Sequence, residues 1–63
     1  MRYVLEEFTP ELRRRWTAKA SFLRVGDAID YFLAISKPGR YRLVDVLCRE
    51  DVFDKEKRNV STK

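Results

Sequence analysis

From Trp16 onward, apolar residues recur at every second position: Trp16, Ala18, Ala20 and Phe22, with Thr17, Lys19 and Ser21 between them. This two-residue period belongs to a strand with one buried face. Gly26-Asp27 follows as a turn signal, and Ile29, Tyr31, Leu33 and Ile35 then alternate with Asp30, Phe32 and Ala34. Lys37-Pro38-Gly39-Arg40 is a second turn signal, beyond which Val44, Val46 and Cys48 alternate. Turn length fixes register. A tight loop at Gly26-Asp27 sets Phe22 opposite Tyr31, Ala20 opposite Leu33 and Ala18 opposite Ile35. A loop over 37–40 sets Leu33 opposite Val44, Tyr31 opposite Val46 and Ile29 opposite Cys48. Both registers turn the apolar sets to one side, whereas a one-residue slip places Asp45 in that face. The pattern therefore predicts a three-stranded antiparallel meander over 15–23, 28–36 and 41–49. Its core face holds Trp16, Ala18, Ala20, Phe22, Ile29, Tyr31, Leu33, Ile35, Val44, Val46 and Cys48.

Residues 2–8 read as a further strand. Thr9-Pro10-Glu11 carries helix-start chemistry, with threonine as cap and proline in the first turn. A single helical turn over 10–13 ahead of the strand accommodates it. The alternative is an α+β arrangement with a helix at about 10–24, which would align Leu12, Trp16, Ala20 and Leu23 in one stripe. Near the end, 51–58 reads as a short helix capped by Asp51, with Val52 and Phe53 touching the body, and 59–63 as a frayed tail. The expected fold is mainly β: a single domain over 1–58, built as a small antiparallel β-barrel or curved sheet of four to five strands with a short C-terminal helix or tail. It has the general look of SH3-like or OB-like barrels.

The opposite face of this meander is also apolar, with Leu23, Phe32, Ala34, Tyr41, Leu43 and Leu47 broken by Lys19, Asp30 and Asp45. A sheet with one solvated face alternates more cleanly. Either Val4, Leu5, Phe8 and Phe53 fold over this face, or a second copy or another protein covers it. Leu23, Phe32, Leu43 and Leu47 are thus the candidate protein interface, and a homodimer is the expected assembly.

Composition narrows the chemistry. The chain has 63 residues, no histidine and a single cysteine, Cys48. No intrachain disulfide, histidine-containing zinc site or all-cysteine zinc site can form. The lone thiol fits a reducing, cytoplasmic setting. The acids of Met1-Arg2-Tyr3-Val4-Leu5-Glu6-Glu7 do not suit a signal peptide, and no apolar run approaches a membrane span. Catalysis is not expected. There is no histidine base, no nucleophile elbow and no phosphate-binding glycine loop. Glu6 and Glu7 are adjacent and must point to opposite faces of a strand. Asp51, Asp54 and Glu56 read as a solvated acidic stretch rather than a metal site, so neither cofactor nor metal is expected.

The formal charge is +4, which favours polyanionic partners. Arg13-Arg14-Arg15 is a compact cation run, and Lys37, Arg40 and Arg42 surround the second turn. The expected topology brings both clusters to one sheet end, with Tyr41 between them. Cations on phosphates and rings on bases are how small sheets hold nucleic acid. The candidate DNA or RNA contacts are Arg13, Arg14, Arg15, Lys37, Arg40, Tyr41 and Arg42, with Tyr41 stacking and little base specificity. The plainer reading pairs these cations with Glu6, Glu7, Glu11 and Glu50. The alternative function is a protein-interaction module, a regulatory subunit or an inhibitor of a larger enzyme, acting through the Phe32, Leu43 and Leu47 face.

Overall fold

The computed structural model of the chain describes residues 2–13 and 15–58. Four strands, β1 (Tyr3–Thr9), β2 (Arg15–Phe22), β3 (Gly39–Asp45) and β4 (Glu50–Lys57), form one antiparallel sheet in the order β2-β1-β3-β4. A helix, α1 (Val25–Ala34), connects β2 to β3 and packs on one face. The chain is mainly β, as expected, but the sheet is open. Among the described residues β2 and β4 are its unpaired edges, so it does not close into a barrel.

The N-terminal part folds as its residues direct. Thr9-Pro10 starts a 3-10 turn at Pro10–Leu12, and Arg13 ends it in the left-handed region at φ 62°. The chain then reverses into β2, so the long helix considered for about 10–24 does not form. The pairing Phe8↔Trp16 and Tyr3↔Phe22 makes β1 and β2 a hairpin.

The expected strand over 28–36 is corrected: its residues 28–34 belong to the helix and 35–36 lie beyond its end. Their alternation is real, but the run Tyr31-Phe32-Leu33-Ala34-Ile35 fits either period. The deciding pair is Ala28 and Phe32, one helical turn apart and both buried. Gly26-Asp27 is the first turn of the helix rather than a hairpin loop, and Asp27 favours the helix N-terminus electrostatically. At the other end, the Lys57 ammonium donates to the carbonyls of Phe32 and Ile35, capping the helix from strand β4. The predicted helix over 51–58 is itself this edge strand. Residues 46–49, expected to extend β3, form the turn into it.

The core consists of Leu5, Ala28, Phe32, Tyr41 and Leu43, with Tyr3, Phe22, Ile35 and Phe53 packed around it. Phe32 is the hub, its ring centroid 5.8 Å from that of Tyr41 and 4.8 Å from that of Phe53. The expected core face is therefore reversed on β3. Leu43 and Tyr41 point inward, Val44 is on the other side, and Val46 and Cys48 lie exposed in the turn. Asp45 does enter the core face, and Arg2 satisfies it with a two-nitrogen hydrogen bond at 3.0–3.3 Å. The Asp45 carboxylate also accepts from the backbone N–H groups of Leu47 and Cys48. Gly39, at φ +154°, opens β3 close to Glu7 and the Tyr41 ring. A β-carbon there would meet the Glu7 carboxylate at 3.4 Å in a strained backbone conformation.

A bulge divides β2. Its register runs Leu5↔Ala20, then Glu6↔Ala18, leaving Lys19 unpaired. An unpaired residue reverses which face the following side chains take. Ala20 and Phe22 therefore turn toward α1, while Trp16 and Ala18 turn to the uncovered face.

Candidate nucleic-acid interface

The uncovered face carries Val4, Glu6 and Phe8 of β1, Trp16 and Ala18 of β2, Arg40 and Arg42 of β3, and Asp54 of β4, as their pairing registers require. Trp16 sits at the sheet end nearest the 3-10 turn. Its ring centroid is 5.3 Å from that of Phe8, at an interplanar angle of 58°. The Arg42 guanidinium stands 4.2 Å from the indole centroid and that of Arg40 5.5 Å from it. Both arginines are also tied to carboxylates. Arg42 donates to Glu6 at 2.6 Å, and Arg40 to Asp54 at 2.8–2.9 Å. Paired guanidinium planes on an aromatic face form a stiff wall beside Trp16.

A shallow concavity of about 640 Å³ is lined by Glu11, Arg13, Arg15, Trp16, Thr17 and Ala18. Four consecutive β2 residues line it although their side chains alternate, so the wall is the free edge of the strand itself. Among the described residues, no carboxylate lies within ion-pair distance of Arg13 or Arg15. Both are therefore available to an outside anion, as are Arg24, Arg49, Lys55 and Arg58, which also lack an ion-pair partner among the described residues; only Arg13 and Arg15 border the concavity.

The sequence-derived candidates separate accordingly. Arg13 and Arg15 border the concavity, while Arg14 lies outside the described residues. Arg40 and Arg42 do meet the first basic segment, around Trp16, but with their charges matched by Asp54 and Glu6. Lys37 is turned to the buried Glu7 carboxylate at 3.3 Å, which Lys19 also reaches at 3.3 Å. Tyr41 is corrected outright. It is 1 % exposed, its hydroxyl donates to the Lys37 carbonyl at 2.9 Å, and burial beside Glu7 raises its pKa, so it cannot stack on a ligand. Of the expected protein-interface residues, Phe32 and Leu43 are core, whereas Leu23 and Leu47 are exposed at 70 % and 73 %. Trp16, Phe8 and Glu11 were not among the candidates. A two-residue period cannot reveal a bulge, so Trp16 carried the signature of a core residue.

Ion pairs set the acid response. The Arg2 hydrogen bonds hold Asp45 below the ordinary carboxylate range, and those of Arg40 do the same for Asp54. A lowered folded pKa contributes stability above the unfolded value of about 4 and loses it as pH falls through the folded value. The urea midpoint should therefore hold from neutral pH down to about pH 5 and fall below about pH 4. Asp45→Asn keeps an acceptor for the two turn N–H groups but loses the charge opposite Arg2. Its midpoint at neutral pH should be lower and its acid limb shallower. A parallel fall in both proteins would show that Asp45 is not the responsible group.

Among the described residues, no group of three or more His, Cys, Asp or Glu side chains gathers to hold a metal ion, and no helix is long and apolar enough to cross a membrane. Comparison with protein-family models, curated proteins and solved structures finds no match for this chain.

Proposed function

We propose that the chain is a nucleic-acid-binding accessory protein that takes a single strand across the free edge of β2 beside Trp16. One observation carries this reading: a half-buried indole beside a concavity whose two described arginines, Arg13 and Arg15, have no ion-pair partner among the described residues. Phosphates sit on those cations and a base stacks on the indole. Arg40 and Arg42 act as the fixed back of the stacking wall rather than as phosphate contacts. The net charge of +4 supports approach of a polyanion.

Salt titration tests this. Each phosphate-neutralising cation contributes about 0.7 to the slope of log affinity against log salt for single strands. Arg13→Ala with Arg15→Ala should reduce that slope by about 1.4 and weaken all sequences alike. An unchanged slope removes these residues from the interface.

A second reading is favoured by a separate observation. Val25, Ile29 and Leu33 follow one another at helical spacing along one flank of α1, and all three are exposed, Leu33 at 68 %. With Leu23 and Leu47 they keep a protein-interaction role in view, now on the helix flank rather than on the Phe32 and Leu43 face.

A further inference from the structure

We propose that the concavity beside Trp16 selects among bases, taking guanine in preference to uracil or thymine; this rests on the nucleic-acid reading above. The carboxylates of this region are in two states. Glu6 and Asp54 are occupied by Arg42 and Arg40 at 2.6 and 2.8 Å. Glu11 stands in the wall of the concavity with Arg13, Arg15 and Trp16, and among the described residues no cation lies within ion-pair distance of it. A carboxylate repels phosphate, so it adds nothing to backbone binding. What it offers is a pair of hydrogen-bond acceptors and no donor.

A base stacked on Trp16 with its edge toward Glu11 must therefore present N–H groups. Guanine presents its ring N1–H and exocyclic amine side by side, matching two carboxylate oxygens as a guanidinium does. Adenine and cytosine present one exocyclic amine beside a ring-nitrogen acceptor. Uracil and thymine present one N–H between two carbonyl oxygens, which face the carboxylate lone pairs and are repelled. The expected order is guanine first, adenine and cytosine next, uracil and thymine last. The concavity, at about 640 Å³, lies within the range of small-molecule pockets, roughly 300–1,000 Å³, and holds one nucleotide. Its phosphate would sit at Arg13 and Arg15, its base on the indole and its Watson–Crick edge at Glu11.

The test is fluorescence anisotropy of dye-labelled short uracil strands, unmodified or carrying one central guanine, adenine or cytosine, with the full chain and with Glu11→Gln. The guanine strand should bind roughly tenfold more tightly than the all-uracil strand, within the range a bidentate base contact discriminates. Glutamine keeps one acceptor but puts a donor in place of the other, so the two affinities should converge to within about twofold in Glu11→Gln. Equal affinities for all strands in the unaltered chain overturn base selection and leave the phosphate and stacking roles standing. A guanine preference that survives in Glu11→Gln overturns the assignment to Glu11. Absence of binding to every strand overturns both this inference and the function on which it rests.

Discussion

Phe32→Ala should leave the chain largely unfolded at room temperature. Phe32 joins the helix to both β3 and β4, through the Tyr41 and Phe53 rings. Removing a buried phenyl group costs about 3–5 kcal/mol. A single core in a chain this short supplies about the same amount, ~3–5 kcal/mol in total. The Lys57 ammonium, 4.4 Å from the Phe32 ring centroid, would also face a void. Phe32→Leu keeps most of the volume and should still melt cooperatively. Circular dichroism melts of the two variants check this. A Phe32→Ala protein that unfolds cooperatively near the parent's midpoint would show that the helix is held by something other than this hub.

Trp16→Ala should separate binding from folding. Its ring touches Phe8 and Arg42 on the uncovered face and no member of the core. Its loss removes one aromatic pair, about 0.5–1.5 kcal/mol, and two cation–π contacts, about 0.5–1 kcal/mol each, and leaves the core packing in place. A stacked base contributes about 1–3 kcal/mol, so affinity for a single strand should drop roughly 5- to 150-fold. Trp16→Phe should recover part of it. Trp16 is the chain's only tryptophan, so its emission in the parent reports the same event directly. Unquenched emission on saturation with a strand would place the base elsewhere.

These two side chains also show how far the sequence can be read. The β1 strand, the turn at Pro10 and the extent of β2 were legible because proline and apolar alternation act locally, although Thr9 does not cap the turn: its hydroxyl donates to the Arg15 carbonyl instead. The helix was not, because Tyr31-Phe32-Leu33-Ala34-Ile35 is apolar throughout and either period fits. What decides there is tertiary: Ala28 and Phe32 face a sheet whose strands are brought together only by the completed fold. The register of β3 went astray for an instructive reason. By sequence pattern alone a slip that buries Asp45 is a cost, whereas Arg2, far away in sequence, arrives to neutralise it. The meeting of the two basic segments was foreseen, but around Tyr41. It occurs around Trp16, because β1 takes the place between β2 and β3 that 28–36 was expected to fill, and the Lys19 bulge turns the indole outward. Glu6 and Glu7 do take opposite faces, as adjacent strand residues must, Glu6 to Arg42 and Glu7 to Lys19 and Lys37.

The unpaired Lys19 has a wider consequence. Because of it, one strand serves two masters: its C-terminal half answers to the interior, and its N-terminal half is at liberty to answer to whatever the protein meets. Residues 15–18 can be exchanged for others without repacking Leu5, Leu43 or Phe32, so recognition can drift while the scaffold stays constant. Excising Lys19 would abolish that independence at a stroke, drawing the indole inward and pushing Thr17 and Arg15 out in its place.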